Sequence, residues 1–287
     1  MENQLGLSTF VLASPFSDSE GPALDRVAAM GYGLIEVCVE DPALLTAQAL
    51  NAHAARAGLA VGICGAFGPD RDVSAEEAGR RRVGIDYLKT CIDLAAAVGS
   101  PHVAGPMYAP TGQTRMLDAA DRAAQLNRAA DSLREAAEYA AGRGIRLAIE
   151  PLNRFETDLI NTTEQALQLV DLIGADHVGL LIDTFHMNIE EKSLGEAVRL
   201  AGSKIFHVQV SENDRGAPGS GHVPWSEFFT ALADINYDGQ IVVESFLPSV
   251  KEIARAVSLW RPVAASMDDL AVDGLAFLKM SLAGGAE

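Results

Sequence analysis

Short apolar runs rich in Val and Ile alternate along the chain with longer stretches of helical period. The strand-like runs are LGLSTFV (5–11), LIEVCVE (34–40), LAVGICGAF (59–67), HVAGPMY (102–108), IRLAIEPL (145–152), VGLLIDTFHM (178–187), KIFHVQVSE (204–212) and QIVVESF (240–246). Between them lie Ala-rich amphipathic stretches such as TAQALNAHAARAG (46–58), LDAADRAAQLNRAADSLREAAEYAAGRG (117–144) and TTEQALQLVDLIG (162–174). Gly31, Gly58, Gly99, Gly144, Gly174 and Gly202 stand where such stretches close, and a left-handed cap is expected at each. Near-continuous apolar strands separated by helices imply a parallel sheet covered by helices. Eight such units without an interrupting linker predict one α/β domain over residues 1–287, a single (β/α)8 TIM barrel, a fold that typically runs to about 250 residues. An open doubly wound sheet would carry a Gly-rich phosphate turn after the first strand. That turn reads ASPFSDSEGP (13–22) instead.

Charge narrows the function classes. The chain has 39 acidic and 22 basic residues, a net charge of −17, which leaves no basic stripe for nucleic acid or anionic membrane. Its three cysteines, Cys38, Cys64 and Cys91, are odd in number and sit in apolar runs. They read as reduced thiols rather than a disulfide framework. The opening MENQLGLSTF has neither the basic nor the apolar region of a signal peptide, and no apolar run is long enough to span a membrane. A cytoplasmic protein is expected.

In a barrel of this kind, chemistry gathers at the C-terminal ends of the strands. Glu150 and Glu156 follow the fifth strand, Asp183 and His186 the sixth, and Glu244 ends the eighth; the seventh carries His207 and Gln209 and leads to Arg215. Glu150, Asp183 and Glu244 each close an apolar run. Three carboxylates converging in a partly dry mouth repel one another and lose hydration. Either a divalent cation or nearby bases must compensate, and few Arg or Lys occur in those strands. Oxygen donors suit Mg2+, Mn2+ or Co2+ better than thiolate sites do. Period-two alternation puts Gln209 on the same face as His207 and Ser211, at the depth of a fourth ligand. His207, about 6–7 Å deeper, reads as an interior histidine. His222, in the loop GAPGSGHVPW (216–225), is a candidate to fold over the site.

Taken in order, IEPLNRFE, IDTFHMN, VSENDRGAPGSGHVPW and VVESF resemble the ketose 3-epimerases of the xylose-isomerase-like barrel superfamily. The resemblance implies that Glu150, Asp183 and Glu244 hold a divalent metal, commonly Mn2+ or Co2+, with Mg2+ also considered. It implies that Glu150 and Glu244 are the catalytic acid/base pair at C3 of a free ketose. Glu156, His186 and Arg215 match residues that grip O1 and O2, and Cys64 and Phe246 match residues lining the sugar pocket. Selectivity is expected to depend on the shape around Ser8, Tyr108 and Phe246. Where the family has a histidine as fourth ligand, this chain has Gln209. A homodimer or homotetramer is expected.

Other readings keep the same fold. A C-glycoside deglycosidase-type lyase would enolise a 3-oxo-glycoside, expel an aglycone and work with a small β-rich partner subunit. An aldose–ketose or inosose isomerase would use the same chemistry. A sugar-binding barrel without catalysis would have lost its metal through the change at Gln209.

Overall fold

A computed structural model describes residues 3–285. Eight parallel strands hydrogen-bond in sequence order and close on themselves, the last against the first. The strands are β1 (Gln4–Ser8), β2 (Leu34–Val39), β3 (Ala60–Gly65), β4 (His102–Gly105), β5 (Arg146–Ile149), β6 (Val178–Asp183), β7 (Ile205–Val210) and β8 (Gln240–Val243). Around them run α1 (Ala23–Met30), α2 (Ala47–Ala57), α3 (Ala78–Val98), α4 (Ala119–Ala141), α5 (Thr163–Ile173), α6 (Thr184–Glu190), α7 (Leu194–Ala201), α8 (Trp225–Asp234), α9 (Lys251–Ala256) and α10 (Met267–Met280). The expected (β/α)8 TIM barrel is the observed fold. Among the described residues, no helix is long and apolar enough to cross a membrane.

Alternation along each strand divides the core. Ile35, Val37, Ile63, Leu147, Leu180 and Val208 face the helices in one large cluster. Cys38, Cys64, Ala104, Ala148, Leu181 and Phe206 form a second cluster with Phe10 and Phe246. Mostly small inner residues suit the narrow barrel lumen. In register with this inner row come Glu36, Glu150, Asp183, Gln209 and Glu244, so the pleat that packs the core also aims the polar groups inward.

The six glycines expected to cap helices all have positive φ. Strand lengths differ from the sequence reading, which runs them on past their true ends. The sixth strand stops at Asp183, whose Oδ1 accepts a hydrogen bond of 2.7 Å from the Phe185 amide and caps α6. The apolar run TFHM is therefore the start of a helix, because an aspartate with a free amide row after it competes successfully with strand pairing. A register shift opposite Leu180 and Leu181 skips Phe206 on β7 and sets His207 beside Leu181 and Gln209 beside Asp183.

Candidate active site

The site forms at the C-terminal mouth, where a cavity of about 310 Å3 is lined by Glu150, Glu156, Arg215, Glu244, Cys64 and Phe246, with Phe10 and Phe67 among its apolar walls. That volume lies at the lower end of the roughly 300–1,000 Å3 typical of small-molecule pockets. Glu150 is placed by its neighbour strand. Its amide donates 3.1 Å to the carbonyl of Gly105, which has φ +126°. A Cβ at Gly105 would stand 2.7 Å from the Gly65 carbonyl oxygen, so the strand end tolerates no side chain there.

Arg215 sits between the carboxylates. Its Nη1 donates to Asp183 Oδ2 at 2.6 Å and to Glu244 Oε2 at 3.0 Å. The guanidinium also lies over the rings of Phe185 and Phe246, 4.1 and 5.1 Å from their centroids. Arg215 has φ +68°, an uncommon conformation for a non-glycine residue. The loop holds it there through Ser245 Oγ, which donates to its carbonyl at 2.7 Å. The sequence expectation of three carboxylates short of bases therefore needs correcting. A base does reach two of them, from the loop rather than from a strand.

His186, on α6, reaches back over the mouth. Its Nδ1 accepts from the Asn153 amide at 3.1 Å, and its Nε2 lies 3.4 Å from Glu150 Oε1. Arg215 Nη2 stands 3.0 Å from that same nitrogen. Asn153 Nδ2 donates 2.8 Å to Glu156 Oε1, linking the two substrate-gripping candidates. Ligand atoms of Glu150, Asp183 and His186 all fall within 4.8 Å of one another.

Environment separates the carboxylates. Burial raises Glu150 above the usual carboxylate range, with His186 opposing it. Burial raises Glu244 further, against the pull of Arg215. At Asp183 burial also pushes upward, but Arg215 and His186 outweigh it and leave the group low. Two buried glutamates raised by burial thus stand beside an aspartate held low, and perturbed groups of this kind gather where chemistry occurs.

Beneath the mouth, Gln209 Nε2 donates 2.7 Å to Glu36 Oε1. That bond leaves Gln209 Oε1 as the free end, and it is buried with no partner. An unsatisfied buried acceptor costs about 1–3 kcal/mol unless a cation or ligand group meets it. The residues thus fit a divalent cation with oxygen donors. His207 is the interior histidine expected, with Nε2 2.5 Å from Glu36 Oε2.

Three candidates have other positions. Tyr108 is fully buried and donates its hydroxyl to the Ile160 carbonyl at 2.9 Å, so it braces the loop after β5 and is absent from the cavity wall. His222 is exposed and is not among the cavity residues. Ser8 lies beneath the wall, 3.3 Å from Cys38 Sγ. Sequence reasoning missed Glu36, Asn153, Phe10 and Phe185. Glu36 had a signal, being the one charge inside the apolar run LIEVCV. Asn153 lay within the quoted IEPLNRFE, but only the fold turns its amide toward His186.

Residues 24–279 match the xylose isomerase-like TIM barrel family. The chain is 32% identical to the D-psicose 3-epimerase of Agrobacterium fabrum (strain C58 / ATCC 33970), over 92% of this chain and 94% of that one. It belongs to the ketose 3-epimerase family. Another member, the L-ribulose 3-epimerase of Mesorhizobium japonicum (strain LMG 29417 / CECT 9101 / MAFF 303099), is 33% identical over 97% of this chain and 94% of its own. A solved structure of an L-ribulose 3-epimerase superimposes with a TM-score of 0.92 at 32% identity, covering 99% of this chain and 95% of that one. This family member thus has the barrel and a sugar-epimerase ancestry along nearly its full length.

Proposed function

We propose that the protein epimerises a free ketose at C3 and that Glu150 and Glu244 are its acid/base pair. The observation that carries the reading is that both glutamates, raised by burial, line one cavity of sugar-sized volume. A ketose C3–H is acidified by the adjacent C2 carbonyl. One glutamate removes that proton, and the other delivers a proton to the opposite face, which inverts the carbon. The electron pair left at C3 moves onto the carbonyl oxygen in between and returns on reprotonation.

Glu150, Asp183, Gln209 and Glu244 are the residues that would hold a divalent cation, Mn2+ foremost, with Co2+ and Mg2+ as the other candidates. Such an ion supplies positive charge for the oxygen that becomes anionic. Arg215 donates to substrate oxygens from the wall of the same cavity, His186 serves beside it, and Glu156 accepts from a hydroxyl. Cys64, Phe10 and Phe246 exclude water from the reacting carbon. The working form is proposed to be a cytoplasmic homodimer or homotetramer.

The test is a screen of free ketoses and 3-oxo-glucosides with Mn2+ in deuterated water, with products separated by chromatography. Expected is a C3 epimer carrying deuterium at C3. Glu150→Gln and Glu244→Gln should each lose about 10²-fold or more while circular dichroism stays unchanged. Ketose turnover without deuterium uptake, or a variant keeping more than about a tenth of the activity, contradicts the roles. Release of an aglycone from a 3-oxo-glycoside, with no ketose turnover, would favour the lyase reading.

A further inference from the structure

We infer that Glu36, Cys38 and Cys64 form a second cation site, selective for a soft divalent ion such as zinc or cadmium, beneath the oxygen site at the barrel mouth. Cys38 on β2 and Cys64 on β3 are paired in register, and both side chains belong to the inner cluster. Glu36 lies two residues before Cys38, on the same face of the strand. Ligand atoms of the three residues fall within 4.8 Å of one another, and all three side chains are buried. A tetrahedral ion with sulfur at about 2.3 Å and oxygen at about 2.0 Å holds its ligand atoms roughly 3.5–3.8 Å apart, a spacing inside that limit.

Two independent features point to a ligand here. Both thiols are free. Glu36 is a fully buried carboxylate with no Arg or Lys beside it among the described contacts; only the His207 ring, 2.5 Å from Oε2, and the Gln209 amide face it. Gln209 Oε1 is a buried acceptor without a partner, on a side chain whose Nε2 reaches both Glu36 at 2.7 Å and Cys64 Sγ at 4.0 Å. A lumen that carries a buried carboxylate and an unmet amide oxygen beside two thiols is chemically matched to a thiophilic cation, which takes both sulfurs as thiolates and releases their protons. Cys64 lines the open cavity, so an ion arrives through the mouth.

The donor sets of the two sites differ. The upper one, Glu150, Asp183, Gln209 and Glu244, is oxygen only, and the lower one is dominated by sulfur, so hard and soft ions sort between them. The sites share Gln209 as a neighbour. An ion that engages Glu36 draws that carboxylate away from the Gln209 amide, which loosens the side chain assigned to the upper ion. Zinc or cadmium at the lower site is therefore inhibitory even when manganese is in excess.

Cadmium titrated into reduced protein with excess manganese tests this, read through the ultraviolet thiolate-to-cadmium charge-transfer band. Wild type should saturate at a single added ion per chain. Cys38→Ser and Cys64→Ser should each weaken binding by about tenfold or more, the order expected when a metal site loses support. Cys91→Ser should leave the band intact, since Cys91 sits on α3 outside the barrel lumen. Glu150→Gln should also leave it intact, which separates this site from the upper one and from the proposed epimerase chemistry. Absence of the band in wild type overturns the inference. So does a band that survives both serine variants or disappears with Cys91→Ser. If a serine variant fails to fold by circular dichroism, Glu36→Gln replaces it, with cadmium affinity measured by chelator competition. An unchanged affinity in that variant likewise overturns the inference.

Discussion

Gln209 is the most testable residue of the proposed metal shell. Its amide nitrogen is held by Glu36, which leaves the buried amide oxygen without a donor. An amide oxygen donates less strongly than imidazole to cobalt or manganese, and it leaves the shell more oxygen-like. Gln209→His should tighten binding of both ions to chelator-stripped protein, with the larger gain for cobalt. Gln209→Ala should weaken manganese binding. Metal titration checks both, and identical affinities across the three proteins would remove Gln209 from the shell. Glu36→Gln should act in the same direction as Gln209→Ala but less strongly, because it frees the amide to rotate without deleting it.

At the scale of elements, the helix ends and helix pairs determine how firmly the mouth is held. Asp183 illustrates the economy of the fold, since it caps α6 and pairs with Arg215 at once. On the outer layer, Glu135 of α4 ties down α3 through Arg82 and Lys89, the latter at 2.7 Å. Hydrogen bonds from Arg82 and then Lys89 lower Glu135 to about 2. A depressed carboxylate stabilises the fold above its unfolded value and loses that contribution as pH falls through the folded one. Glu135→Gln should therefore cost under about 1 kcal/mol at neutral pH, because the group is well exposed and screened. The difference from wild type should fade as pH drops from about 4.5 towards about 2. Denaturant melts of both proteins across that range measure it, and a gap that widens on acidification would contradict the assignment.

Over the whole molecule, closure of β8 on β1 leaves the eight-stranded sheet without an edge, so the barrel itself offers no strand for another chain to extend. Solubility then rests on surface charge. At pH 7 the net charge of −17 opposes nonspecific aggregation, and that repulsion vanishes near the isoelectric point of about 4.7. Light scattering should rise as the pH is lowered from 7 towards 4.7 at low salt and should fall again on returning to neutral pH. Unchanged scattering through that range would show that charge repulsion is not what keeps the protein dispersed.

The amino-acid sequence alone determined the order of strands and helices, the parallel barrel and the positions of Glu150, Asp183 and Glu244 at the mouth. These follow from local rules: apolar periodicity, glycines closing helices, and alternation that carries every second residue inward. Tertiary structure decided the rest. It turned TFHM into a helix that returns His186 to the site, and it inserted Arg215 between two carboxylates that a strand-by-strand reading left without a base. It diverted Tyr108 into bracing the Ile160 loop. It joined Glu36 to Gln209 across 173 residues of chain and set Cys38 beside Cys64. Such contacts depend on how closure of the barrel brings distant strands and loops together, and no pattern confined to a short window of residues records that distance.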